Sequence, residues 1–219
     1  MIDGRKTLSV VLQGGFRNLI DLGPAPQLDA FQYAFTARPA SAKRRAWAKL
    51  QESERRLSMA DWAMQGTDPV TGKNRTLAED LVTAMFYSVE STIQVLKEEV
   101  DSIRGRGALD QWLSLHPSHS LPLRAVRTIR NFSVHVSALQ PSSSLEIPLF
   151  PGPSEPFVKR KWLLPEITPL QLDSLRNPKL NHAELPPWNA LRAKEPASAL
   201  LEQVLRNLYS IVLDSETQL

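Results

Sequence analysis

Cysteine is absent from this sequence of 219 residues. Its absence excludes disulfide bonds, thiolate catalysis and metal sites built on cysteine. Long apolar runs are missing too, since the N-terminal run Leu8–Leu12 is too short for a signal-peptide core and no segment reaches the length of a membrane span. We therefore expect a soluble cytoplasmic protein without a membrane partner.

A large excess of charge of either sign is also missing. The chain has 26 basic and 23 acidic side chains, a formal net charge of +3 and 42% hydrophobic residues. This balance excludes a disordered chain, and it permits nucleic-acid binding without requiring it. A chain of this length can bury a hydrophobic core as one domain.

Helical periodicity dominates what is present. Apolar side chains recur at spacings of three and four residues, which is typical of helices with one buried face. Gly105 is well placed to end the predicted helix over residues 76–104. The predicted helices cover residues 40–65, 76–104, 108–115, 123–139, 168–175 and 199–213. The expected fold class is mainly α.

Prolines are concentrated in one part of the chain. Ten of the seventeen lie between Pro141 and Pro187, so no continuous helix can form there. Within this region the segments Leu145–Phe150 and Phe157–Leu164, which are separated by Pro151-Gly152-Pro153, are compatible with an edge hairpin. We predict residues 177–196 to be irregular.

The second strand of this hairpin carries a compact basic and aromatic cluster, formed by Lys159, Arg160, Lys161 and Trp162. Such residues can hold single-stranded RNA through charge and stacking. Lysines on an edge strand also discourage aggregation. Both interpretations stay open.

The segment Leu123–Leu139 carries the most suggestive chemistry. Arg127, Asn131 and His135 are spaced i, i+4 and i+8, so a continuous helix places them in one polar row, with Arg130 beside it. Histidine exchanges protons near neutral pH, and the arginine fork matches a phosphate. These are the groups that phosphoryl transfer without a metal requires. A solvated helix face is the simpler interpretation of the same residues.

Glu90 lies close to the apolar stripe of the preceding helix. It could partner His135 or Arg127, but an ordinary surface position is the favoured interpretation.

The run Arg130-Asn131-Phe132-Ser133-Val134-His135 resembles the R-x4–6-H motif of the HEPN superfamily (higher eukaryotes and prokaryotes nucleotide-binding), in which Asn commonly follows the Arg. The resemblance covers about residues 75–140 and the C-terminal helix. It implies an up-and-down bundle of four or five helices. Residues 1–219 would then form a single HEPN-like domain, with 1–38 as an N-terminal extension and 141–196 as a proline-rich insertion.

The resemblance also implies a function. Catalytic HEPN proteins dimerise around the motif helix and form a composite endoribonuclease site that needs no metal or other cofactor. Carried over to this chain, His135 would be the general acid and base, Arg130 would bind the scissile phosphate, and Asn131 would position one or both. The expected RNA-binding residues are Arg124, Arg127, Lys159, Arg160 and Lys161. The family's usual biology suggests a toxin or anti-phage effector with an antitoxin or activator protein as partner.

Two other functions remain open. A non-catalytic bundle could use the same basic row to hold RNA, a nucleotide or a protein partner. A helical protein without a nucleic-acid role would instead use Arg130 and His135 within an interface, and an internal carboxylate such as Glu90 would then occupy Arg130.

Overall fold

The computed structural model describes residues 45–66, 74–137, 139–146 and 159–219. The predicted N-terminal extension lies outside the described residues, as do the side chains of Lys159 and Arg160. The helices within the described ranges are α1 (Arg45–Gln65), α2 (Arg75–Arg104), α3 (Ala108–Leu115), α4 (Leu121–His135), α5 (Pro169–Asp173), α6 (Leu185–Lys194) and α7 (Ala197–Gln218). A short 3₁₀ helix, His182–Glu184, precedes α6.

Four helices, α1, α2, α4 and α7, pack around one hydrophobic core. Helix α2 contacts the other three. The start of α1 meets the end of α2, because a carboxylate oxygen of Glu99 accepts the backbone N–H of Arg45 at 2.5 Å. It also meets the end of α7, because the Trp47 indole donates to Glu216. Helix α1 therefore runs antiparallel to both. The mainly α fold class is confirmed, and the HEPN-like arrangement stays a prediction.

A second carboxylate near the end of α2 fixes the start of α3. Helix starts leave backbone N–H groups without intrahelical partners. The Asp101 carboxylate accepts the N–H of Gly107 at 3.1 Å and that of Leu109 at 3.2 Å. The bond from Gly107 is the main reason why the pKa of Asp101 lies below its usual value. Gly105, with φ 97°, ends α2 as predicted and lets the chain turn into α3.

Within the described residues the helices predicted from periodicity are confirmed, and one helix was missed; residues 40–44 of the first predicted helix lie outside the described ranges. Residues 177–196 were expected to be irregular, yet they contain α6. Its first turn holds Pro186 and Pro187, where a missing N–H costs nothing and the fixed φ suits a helix. The prediction was wrong because prolines were counted as helix breakers without regard to their position in the first turn.

The hairpin is also present, although its first strand begins earlier than predicted. Strand β1 (Ser142–Glu146) pairs antiparallel with β2 (Lys159–Leu163), so that Ser142 faces Leu163. Trp162 is buried, and its indole donates to the Met64 carbonyl oxygen at 3.1 Å. This bond fastens the hairpin to the end of α1.

Candidate functional site

Helix α4 presents the motif and is held by its apolar face. Pro122 lies in its first turn, where proline is favoured. The buried apolar side chains are Leu123, Val126, Ile129 and Phe132. The polar row then runs out of the core, since Arg127 is buried, Asn131 is half-buried and His135 is exposed.

Arg127 forms a buried ion pair with Glu90 of α2. The two contacts are Nε to Oε2 at 2.7 Å and NH2 to Oε1 at 3.3 Å, and the side chains are 5% and 14% exposed. The expectation that Glu90 is a surface residue was therefore wrong. The reason is that Glu90 lies on the flank of α2 that faces α4. Arg127, which we listed for RNA binding, can reach a phosphate only if this pair opens.

Arg124 is also tied to another part of the chain. Its guanidinium pairs with Glu184 at the end of the 3₁₀ helix and donates to the His119 carbonyl oxygen at 3.3 Å. The side chain is 27% exposed. Arg124 thus joins α4 to two connecting segments, and a phosphate would have to compete with Glu184 for it.

Arg130 differs from these two arginines, because none of the described carboxylates pairs with it. Its guanidinium lies 5.5 Å from the centre of the Tyr87 ring, and NH1 donates to Asn131 Oδ1 at 3.3 Å. Its buried Nε has no hydrogen-bond partner within the described part of the chain. Arg130 therefore keeps hydrogen-bonding capacity and a charge that an anion could satisfy.

His135 is the last residue of α4, so the predicted helix over residues 123–139 is four residues too long. The carbonyl of Phe132 accepts the N–H of Val136 at 2.9 Å and that of Ser137 at 3.2 Å. The Ser133 hydroxyl, which donates to the Ile129 carbonyl, accepts the N–H of Leu139 at 3.4 Å. These local bonds replace further helical turns. Val136, which a helix continued to residue 139 would place on its apolar face, is 49% exposed.

The motif residues are thus brought only partly together. Arg130 and Asn131 touch, whereas five positions separate Arg130 from His135, or about 7.5 Å along the axis. His135 bonds to no side chain that the structure describes. Arg130 and Asn131 can hold an anion in this protomer, and a phosphate there would need a histidine from another direction or a shift of His135.

The basic strand β2 serves the fold at two positions. The Lys161 ammonium donates to the carbonyl oxygen of Lys194, the last residue of α6, at 2.7 Å, where a cation is favoured by the helix dipole. Trp162 is buried and offers no open ring for a base. RNA binding by Lys159, Arg160 and Lys161 stays a prediction.

A cleft of about 770 Å³ opens beside Arg130, between α1 and α2. Its polar lining includes Glu52, Arg56, Tyr87, Ser91, Gln94, Glu98 and Arg130. Tyr87 was not among the residues predicted from the sequence. The signal was available, because Tyr87, Ser91 and Gln94 recur at helical spacing on the side of α2 away from its apolar stripe.

His119, in the loop before α4, was also missed. Its Nε2 lies 3.5 Å from NH1 of Arg127. Burial, followed by the charges of Arg127 and Arg124, lowers the pKa of His119 from 6.5 to about 4. Burial likewise lowers the pKa of Lys179, whose backbone N–H donates to the Thr128 hydroxyl at 3.1 Å. His119 is therefore neutral near pH 7, and it packs among the cations Arg124, Arg127 and Lys179 as part of the support for α4.

Among the described ranges, no group of three or more His, Asp or Glu side chains is arranged to hold a metal ion. No helix in those ranges is long and apolar enough to cross a membrane. No protein-family model, curated protein or solved structure matches this chain.

The Glu90–Arg127 pair should dominate the stability of the site. We expect Glu90→Leu or Arg127→Met alone to lower the free energy of unfolding by about 3–5 kcal/mol, because each leaves a buried charge without its partner. The double variant should lose much less than the sum. Urea unfolding measures all three. As a control, the same changes at the exposed pair Glu202 and Arg206 should cost under about 1 kcal/mol. Additive losses at Glu90 and Arg127 would contradict a buried ion pair between the two side chains.

His119 should make the fold sensitive to mild acid. Its pKa is lower in the folded chain than in the unfolded chain, so the unfolded chain binds the extra proton and stability falls as pH drops from 6.5 towards 4. Between pH 7 and 5 we expect about 1 kcal/mol of this loss, after discounting for partial exposure. Urea unfolding should show a smaller loss in His119→Gln than in wild type. An unchanged loss in His119→Gln would refute this, and the exposed His182→Gln serves as control.

Proposed function

We propose that this protein is a metal-independent endoribonuclease of the HEPN type. One observation carries the proposal: Arg130 is the arginine of α4 that no described carboxylate neutralises, and it lies in contact with Asn131, five positions before the exposed His135. The three residues of the motif are therefore the part of α4 with capacity left for a substrate.

The cleavage would proceed by attack of the ribose 2′-OH on its own 3′-phosphate. A base removes the 2′-OH proton, the 2′ oxygen bonds to phosphorus, the bond to the 5′ oxygen breaks, and an acid protonates that oxygen. The products are a 2′,3′-cyclic phosphate and a 5′-OH. In this proposal His135 supplies the proton transfers, the Arg130 guanidinium stabilises the charge on the phosphorane, and Asn131 orients the Arg130 guanidinium.

A second copy of the chain would complete the site. One histidine cannot take and give a proton on opposite sides of the phosphorus at once, whereas two histidines related by a two-fold axis can. The two side chains next to His135 in sequence, Val134 and Val136, are 43% and 49% exposed. In a dimer around the motif helix, which the resemblance implies, the partner would cover these two side chains. We therefore propose a homodimer that buries Val134 and Val136.

The runner-up is a non-catalytic module that binds RNA, a nucleotide or a protein partner. It is favoured by the lack of any bond from His135 to a described residue, since a general base is normally held by a partner. The function without nucleic acid is disfavoured, because it expected an internal carboxylate such as Glu90 to occupy Arg130, whereas Glu90 pairs with Arg127 and no other described carboxylate pairs with Arg130. A toxin or anti-phage role, with an antitoxin or activator protein, follows only from the resemblance and belongs to the proposal.

The proposal is tested by incubating a mixed RNA pool with the protein in excess chelator. We expect wild type to cleave and to leave cyclic phosphate ends. His135→Ala should lower the rate by about 10² to 10⁴, the usual cost of removing a general acid or base, and Arg130→Ala by a similar factor. The matched controls are His182→Ala, an exposed histidine paired with Asp173, and Arg206→Ala on α7. Both should cleave at the wild-type rate.

The outcomes separate the two candidates. RNA binding without cleavage, retained in His135→Ala, would replace the nuclease by the binding module. Cleavage that survives in both His135→Ala and Arg130→Ala would indicate a contaminating nuclease or a different site, and would overturn the assignment of the motif.

A further inference from the structure

Lys179 is a cation that the proposed reaction does not use. It belongs to the segment between α5 and the 3₁₀ helix, and its backbone N–H donates to the Thr128 hydroxyl at 3.1 Å. This bond holds the segment against α4. The side chain is half-buried, and no hydrogen bond or ion pair joins its ammonium group to a residue that the structure describes. Lys179 therefore keeps its charge and its donors for a ligand.

The other charges around Lys179 are matched in pairs. Its ammonium group interacts electrostatically with Arg127, Glu90, Asp110 and Lys97. Arg127 pairs with Glu90 at 2.7 Å, and Lys97 pairs with Asp110. These five side chains form the Lys179 cluster, in which the positive charge of Lys179 is left over. Holding a charge away from water without a partner is costly, and a bound anion would remove that cost.

His119 faces the Lys179 cluster and adds a hydrogen-bond donor. Its Nε2 lies 3.5 Å from NH1 of Arg127. Because an arginine nitrogen can only donate, Nε2 accepts, and the proton of the neutral ring is on Nδ1. No described residue accepts a bond from Nδ1. Lys179 and His119 thus both have donors to offer to one anion.

The Lys179 cluster lies towards the start of α4, and His135 lies at its end. His119 belongs to the loop before α4 and contacts Arg127. Arg130 follows Arg127 by three positions, or about 4.5 Å of helix. The order along α4 is therefore the cluster, Arg130 and His135. An RNA strand with its scissile phosphate on Arg130 would have the proton-transfer group on one side and the cluster on the other.

The α2 side of the cluster agrees with this order. Glu90 meets Arg127. Tyr87, which comes earlier on α2, meets Arg130, which comes later on α4. The two helices are therefore antiparallel at this point. Lys97 comes seven positions after Glu90, so it lies level with the start of α4.

We propose that Lys179 and His119 form a second phosphate site, which binds a phosphate of the RNA strand beyond the scissile phosphate on Arg130. This deepens the proposed function and rests on it. The Lys179 ammonium group supplies the charge, and the neutral His119 ring supplies a hydrogen bond from Nδ1. Neither contact reads a base, so the site positions the strand without selecting its sequence.

The salt dependence of RNA binding tests the site without catalysis. The probe is a short mixed-sequence RNA in which every ribose is 2′-O-methylated, so that no 2′-OH can attack. Fluorescence anisotropy gives the slope of log K against log salt concentration, to which each phosphate contact on a single strand contributes about −0.7. Lys179→Met should make the slope shallower by about 0.7, and Lys179→Arg, which keeps the charge, should retain it. Arg206→Met on α7 is the control and should bind like wild type.

The protonation of His119 provides the second readout. Burial, followed by the charges of Arg127, Arg124 and Lys179, lowers the pKa of His119 to about 4. An anion within about 4–6 Å favours the charged form and raises such a pKa by about 1–3. An NMR titration should therefore find the pKa of His119 raised when wild type binds the methylated RNA, and not raised by RNA in Lys179→Met. Inorganic phosphate is titrated separately, as a free anion.

The outcomes are separable from those of the nuclease. An unchanged salt slope in Lys179→Met, or a His119 pKa that RNA leaves unchanged, overturns the second phosphate site even if RNA is cleaved. A response of His119 to inorganic phosphate and not to RNA also overturns it, because the site then takes a free anion. A shallower slope in Lys179→Met, without RNA cleavage by wild type, supports the site and overturns the nuclease. No binding of the methylated RNA by wild type overturns both.

Discussion

The buried ion pair between Glu90 and Arg127 is the interaction on which the site depends. It joins the middle of α2 to the middle of α4 with two hydrogen bonds of 2.7 and 3.3 Å. A buried charge without its partner is costly, so the pair fixes how α4 is rotated against α2. With Arg127 turned inward, Arg130 lies over Tyr87 and His135 projects into solvent at the end of the helix. The motif residues Arg130 and His135 are accessible because Arg127, one turn earlier, is held by its ion pair with Glu90.

The three arginines of α4 have the same chemistry and different surroundings. Arg124 and Arg127 each meet a carboxylate from another element and hold the bundle together. Arg130 meets an aromatic ring and an amide, which leave its charge available. A basic helix face therefore divides into a supporting part and a part able to bind phosphate. The proposed nuclease function uses only the second part.

The sequence was sufficient for what depends on local pattern. Helical periodicity predicted α2 and α4 to within a few residues, and Gly105 marked the end of α2. The sequence was insufficient for predicting contacts between residues that are far apart along the chain. Glu90 and Arg127 are 37 positions apart, and nothing local indicates that Glu90 pairs with Arg127 rather than Arg130 or solvent. The end of α4 at His135 depends on the Ser133 hydroxyl, which α-helical periodicity does not describe.

The central claim is that the 2′-OH of the RNA is the nucleophile at a site built from the motif. It is tested most directly by mapping one cleavage site in a defined RNA, in excess chelator, and then replacing the ribose at that site by 2′-deoxyribose. The account predicts that cleavage at that position is abolished while cleavage elsewhere in the strand continues. Cleavage that persists at the 2′-deoxy position, or an RNA that wild type never cleaves, would contradict it.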